Sequence, residues 1–137
     1  MTLGVLHELY HNLLKRLQQQ YGLAFLFITH DLSVVRYLAD QVAVMYLGQI
    51  VEYGHTERIF DSPSHPYTQG LLAAVPSVDP EQRSVEVQVL GDVPSPSNPP
   101  SGCRFHTRCP QVMDRCRQQM PELYTLQDGA SRCFLVE

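Results

Sequence analysis

Apolar residues recur at three- and four-residue steps near the start of the chain, at Leu6, Leu9, Tyr10, Leu13, Leu14 and Leu17. That spacing predicts a helix with one apolar stripe, ending near Tyr21-Gly22, with His7, Glu8, Asn12, Lys15, Arg16 and a run of three glutamines on its wetter face. The period then changes. Leu23-Ala24-Phe25-Leu26-Phe27-Ile28 is an unbroken apolar run with the length and aromatic content of a strand buried on both faces, as parallel strands between helix layers are. A short helix is expected after His30-Asp31, with Asp31 as its cap. Two strands, Val42 to Leu47 and Gln49 to Tyr53, then flank Gly48 as the turn residue, and Gly54 stops the second.

Further along, Thr56 is placed to cap a short helix carrying Glu57, Ile59 and Phe60. Pro66 opens another, whose Tyr67, Leu71, Leu72 and Val75 predict an apolar face before Pro76 ends it. From Pro76 the character shifts, and a boundary is expected near Val78, dividing the chain into residues 1–77 and 78–137. Ser84 to Leu90 alternates apolar and polar residues as a half-exposed strand does. Gly91 to Gly102 is too rich in Pro, Ser and Gly for regular structure and reads as a stiff connector. Helix, strand, helix, strand in this order implies an α/β unit followed by a small Pro- and Cys-rich extension.

Composition narrows the function classes. A net charge of -4, with the basic residues scattered, argues against nucleic acid as a partner, because phosphate neutralisation needs a clustered excess of Lys and Arg. The apolar fraction of 44% is that of an ordinary globular chain. No apolar run approaches the ~20 residues of a membrane-spanning helix. The chain does not open on a charged region followed by an apolar one, so no secretory signal is read, and the expected compartment is the cytoplasm, where thiols stay reduced or bind metal.

Two constellations carry candidate chemistry. His30 stands where a strand is expected to end, and at the carboxyl end of a parallel strand an imidazole N–H faces the crevice in which α/β proteins bind phosphates. Taken as a lone His-Asp pair, it fits equally a residue that merely caps the next helix. Cys103, Cys109, Cys116 and Cys133 all fall in the last quarter, in Pro-rich chain with little core of its own, where a cross-link can stand in for a hydrophobic core. Soft thiolates suit zinc or an iron–sulfur cluster. The spacing matches neither the usual zinc pattern nor a ferredoxin one, so metal, disulfides and free thiols all remain open.

The longer pattern is more specific. Thr29-His30-Asp31-Leu32-Ser33-Val34-Val35, followed by Ala39 through Gly54, closely resembles the switch-histidine region of ABC transporter ATPases. Continuing through Ile59-Phe60, Pro63 and His65-Pro66-Tyr67-Thr68-Gln69-Gly70-Leu71-Leu72, the chain resembles the oligopeptide/dipeptide and nickel importer branch, from about residue 12 to 137.

The resemblance implies the C-terminal part of an ABC-type P-loop ATPase domain, with part of a parallel sheet, followed by the branch's four-cysteine extension. It implies that His30 contacts the ATP γ-phosphate, that Cys103, Cys109, Cys116 and Cys133 hold a [4Fe-4S] cluster, with zinc as the alternative, and that Arg104, Arg108 and Arg115 lie near that anionic centre. His106 is a substitute ligand for zinc, and Tyr67 either packs in the core or meets a partner. The implied partners are transmembrane permease subunits and a second ATPase subunit, at the inner face of the plasma membrane.

The 137 residues contain no Gly-x-x-x-x-Gly-Lys-Ser/Thr loop, no Ser-Gly-Gly-Gln signature and no Asp-Glu pair closing a strand. ATP and magnesium are therefore expected only in the intact family protein, and this chain is expected to be inactive alone. Met1-Thr2-Leu3-Gly4-Val5 carries no acid where the family has an acidic loop, which suggests either a lost upstream sequence or a replaced start. The alternatives in function are a stand-alone metal-binding module that docks on a full-length ATPase, and a non-functional gene remnant.

Overall fold

The computed structural model describes residues 3–75 and 89–137, with side chains from residue 12. Two compact units are distinguished, residues 1–39 and 40–137.

In the first unit, helix α1 (Leu3–Tyr21) ends where expected, and Gly22 takes a positive φ of 62° that terminates it. Helix α2 (Leu32–Leu38) starts at Asp31, whose carboxylate accepts the Ser33 and Val34 N–H groups at 2.9 and 3.3 Å. The Tyr37 hydroxyl donates to Asn12 at 2.7 Å and the Lys15 ammonium sits 4.2 Å over the Tyr37 ring, tying α2 to α1. The expected strand between them does not form. Residues 23–28 are irregular and exposed, with Leu26 at 91% and Ile28 at 95%. A strand of this kind needs hydrogen-bonding neighbours on both edges, and no described residue supplies one.

In the second unit, β1 (Gln41–Tyr46) and β2 (Gln49–His55) form the expected hairpin. Leu47 and Gly48 both have positive φ, 46° and 73°, the conformation whose twist matches a two-residue hairpin. Val42, Val44 and Tyr46 point inward by simple alternation. A register shift at Val44/Met45 breaks the alternation in β2, so consecutive Val51 and Glu52 are both buried.

The sheet is antiparallel throughout, in the order β1-β2-β4-β3, rather than the parallel arrangement expected. The two additional strands, β3 (Tyr124–Leu126) and β4 (Gly129–Ser131), come from the far end of the chain, and β4 pairs with β2. Gly54 faces Gly129 in that ladder, and a Cβ on Gly129 would lie 2.1 Å from the Tyr53 carbonyl oxygen. Only glycine allows the approach.

Helix α3 (Thr56–Asp61) buries Ile59 under the sheet. Thr56 is its first residue rather than its cap; the backbone at His55 makes the turn without a side-chain bond, and the Thr56 N–H donates to the Asp40 carbonyl at 3.1 Å. Helix α4 (Pro66–Ala73) begins on proline as expected. Its buried residues are Pro66, Thr68 and Gly70, whereas Val75 is exposed. Small residues let the helix pack closely there, which an apolar-periodicity reading does not register. The predicted strand at 84–90 and the boundary near Val78 fall almost wholly outside the described residues. Residues 91–102 are irregular, as expected, and lead to α5 (Asp114–Gln118) and a closing 3₁₀ turn (Phe134–Val136).

Glu52 holds α3 and α4 to the sheet. Its side chain has no exposed surface, and its carboxylate accepts from Arg58 Nη2 at 3.0 Å, the Ser64 N–H at 2.7 Å and the His65 N–H at 3.0 Å. A buried carboxylate is tolerated only when its lone pairs are filled in this way. Glu52→Ala, which leaves the Arg58 cation and two N–H groups without their acceptor, is expected to lower the unfolding free energy by roughly 3–5 kcal/mol in urea titrations followed by circular dichroism. A loss below about 1 kcal/mol would show that water replaces the carboxylate at little cost.

Candidate functional site

The loop from Cys103 to Cys109 is anchored by Phe105, which is only 1% exposed. Its ring meets Tyr46 of β1 edge-on at 5.2 Å, and Tyr67 and His65 at 5.4 and 5.6 Å. Tyr46 and Tyr67 stack in turn at 4.7 Å. Tyr67 is thus a core aromatic, and the His-Pro-Tyr-Thr element is the socket into which the cysteine loop inserts.

Around this plug the four thiols converge. Cys103, Cys109, Cys116 and Cys133 all line one small apolar cavity of about 10 Å³, with His65 and Phe105 also on its wall. The Cys103 N–H donates to the Cys116 carbonyl at 2.8 Å, which fixes the loop against α5. Gly102, at φ 66°, makes this contact reachable, since a Cβ there would lie 2.5 Å from the same carbonyl oxygen. No disulfide links the four.

Burial pushes the Cys133 thiol up to about 11, with the other three cysteines adding to the rise against the Leu135 N–H. Burial likewise raises Cys103 and Cys109, opposed by the Phe105 and Gln111 N–H groups respectively. Those N–H groups are poised to stabilise thiolate, so a cation in the cavity would have to release protons that burial retains.

Among the described residues, no three His, Cys, Asp or Glu side chains are already arranged to hold a metal ion. The donor set nevertheless fits a soft centre: four thiols face one apolar cavity with backbone donors directed at sulfur. The expected arginine collar around the thiols is not what these side chains build. Arg104 donates to the Leu47 carbonyl and Arg108 to the Leu90 and Gly91 carbonyls at 3.2 Å. Arg115 pairs with Glu137, donates to the Phe134 carbonyl at 2.8 Å and lies over the Phe134 ring. Each guanidinium ties loop backbone together, because unpaired carbonyls in irregular chain need donors. His106 lines the cavity and holds the Cys103 carbonyl through Nδ1 at 2.9 Å.

His30 is exposed in the first unit, at the turn that precedes α2. The sequence reading assigned no role to Glu52, Phe105 or His65. His65 accepts the Tyr67 N–H through Nδ1 at 3.1 Å, capping α4, and the Arg132 carbonyl accepts from its ring. An acid inside an otherwise apolar strand and a histidine before Pro-Tyr-Thr were the available signals.

The Oligopeptide/dipeptide transporter, C-terminal region family model matches residues 51–116. A probable peptide ABC transporter ATP-binding protein, y4tS of Sinorhizobium fredii, is 53% identical over 118 residues, covering 86% of this chain and 33% of the relative. The dipeptide transport ATP-binding protein DppF of Haemophilus influenzae is 46% identical over 127 residues, and the di/tripeptide transport ATP-binding protein DppF of Pseudomonas aeruginosa is 44% identical over 126. Those two alignments each cover 92% of this chain and 39% of the relative. The chain thus spans between a third and two fifths of these relatives' length.

Burial holds the His65 imidazole down to about 4, against the opposing influence of the Glu52 charge and the Arg132 carbonyl. Because the folded value is depressed, the unfolded chain binds the extra proton first. The stability His65 contributes is complete above about pH 6.5 and is lost as pH falls towards about 4. A loss of about 3 kcal/mol across that window is expected. His65→Asn, which keeps a cap for Tyr67, should flatten the profile in urea titrations at stepped pH; an unchanged slope would place the acid sensitivity elsewhere. Taken with the socket and the convergent thiols, the alignments establish that this chain belongs, over the region it spans, with the C-terminal regions of the ATP-binding proteins of oligopeptide/dipeptide ABC transporters.

Proposed function

We propose that the chain is the C-terminal portion of an ATP-binding subunit that powers peptide uptake, residues 1–77 belonging to the nucleotide-binding domain and 78–137 to the branch's extension. Alignment with peptide-transport ATP-binding proteins over most of this chain carries the reading. In that setting the exposed apolar run 23–28 becomes a covered strand, since its pattern suits neighbours on both faces. His30, at its end, donates an imidazole N–H to the terminal phosphate of ATP held by the rest of the site. The partners are transmembrane permease subunits and a second ATPase subunit at the cytoplasmic face. Among the described residues, no helix is long and apolar enough to cross a membrane.

Cys103, Cys109, Cys116 and Cys133 serve as ligands to a [4Fe-4S] centre, which supplies a rigid, redox-active cross-link when bound. One observation favours zinc as the second reading: the cavity between the thiols holds about one water-sized sphere, which suits a single ion better than a cluster. Anaerobic purification followed by iron, sulfide and zinc assays separates the two. Iron and sulfide in equal amounts are expected; one zinc per chain without iron would establish the second reading, and neither metal would end both. The same preparation is expected to show no ATP turnover. Measurable hydrolysis that survives His30→Ala would remove His30 from the reading.

A further inference from the structure

Three of the four thiols lie close together along the chain, and the fourth does not. Cys103, Cys109 and Cys116 share one loop-and-helix stretch, closed by the Cys103–Cys116 backbone bond. Cys133 arrives from the other side, at the end of β4, and its placement depends on the peptide unit that precedes it. That unit is held at two points. The Arg132 N–H donates to the Val51 carbonyl at 2.8 Å, and the Arg132 carbonyl accepts from the His65 ring.

His65 itself has little freedom. Its N–H is held by Glu52 at 3.0 Å, its Nδ1 accepts the Tyr67 N–H at 3.1 Å, and its ring packs against Phe105. Nδ1 is therefore the bare nitrogen and Nε2 carries the proton given to Arg132. With both nitrogens engaged, His65 lines the thiol cavity without being a ligand in it.

We propose that His65 is a positioning residue for the thiol centre: by gripping the Arg132 carbonyl it orients the peptide that presents Cys133 to Cys103, Cys109 and Cys116. This rests on the reading of the four thiols as a metal centre given under Proposed function. Histidine does two jobs here that substitution can separate. Asparagine reproduces Nδ1, capping Tyr67 without reaching Arg132, whereas glutamine reproduces the Nε2–H and reaches Arg132 while losing the cap. Both variants lose the ring contact with Phe105 equally.

The full chain and its His65→Asn and His65→Gln variants would be loaded anaerobically with iron(II) and sulfide, and in parallel with zinc(II), and the rate of metal loss to a chelator followed. His65→Asn is expected to release metal about 10–100-fold faster than the wild type, the usual effect of removing a residue that orients a ligand. His65→Gln should release it at nearly the wild-type rate, although its metal-free form melts lower. The reverse order, or equal loss in both, would mean that His65 acts only as a helix cap and overturns the proposal. Wild-type retention matched by His65→Asn would also overturn it while leaving the metal centre standing. A wild-type chain that takes up neither metal would overturn the metal centre itself, and the proposal with it.

Discussion

A carboxylate sealed inside an antiparallel sheet organises the second unit of this protein. Glu52 is buried because a register shift turns it inward beside Val51, and its charge is tolerated because Arg58, Ser64 and His65 surround it with donors. The two backbone donors are decisive. They fix the turn between α3 and α4, so that Pro66 can start a helix and His65 can face the sheet. From there the order propagates by contact: His65 and Tyr67 make a socket, Phe105 fills it, and the loop bearing Cys103 and Cys109 is carried into place. A hydrophobic contact in place of Glu52 could supply comparable burial. It could not set the direction of two N–H groups.

The thiol centre is thus built from two sides by different means. On one side an aromatic plug seats a loop, and on the other a strand pairing delivers Cys133. Between them the cavity is apolar, and burial keeps the thiols protonated in the absence of a cation. The arginines, which a charge-based reading would set around the sulfurs, instead brace the loops through carbonyl oxygens. Charge near the centre is left to the ligands and to backbone N–H groups, whose direction the fold controls more tightly than that of a long side chain.

Much of the hairpin was legible in the sequence, because β1 alternates cleanly and Gly48 marks the turn. The caps at Asp31 and Pro66 were legible for the same reason, each being a local effect with a residue-specific cause. What escaped was non-local. Gly129-Ala130-Ser131 has no apolar pattern to announce a strand, since its place in the sheet is set by β2 and by the glycine contact at Gly54. The run at 23–28 has the pattern of a buried strand, but pairing requires neighbours that no described residue offers. Clustering of four cysteines in the last quarter was visible from composition, whereas their convergence on a single cavity, and the two residues that bring it about, depend on tertiary contacts.

The β2–β4 ladder has a consequence for how the protein is made. Its partners are separated by more than half the chain, so the sheet cannot close while the ribosome is still producing the intervening residues. Until Gly129 to Ser131 appear, β2 presents an open edge and Glu52 lacks the cover that Ser131 provides. The last of the four cysteines is synthesised only after the strand that completes the sheet. Closure of the sheet and delivery of the final thiol are therefore one late event in biogenesis, and metal insertion must follow it rather than guide it.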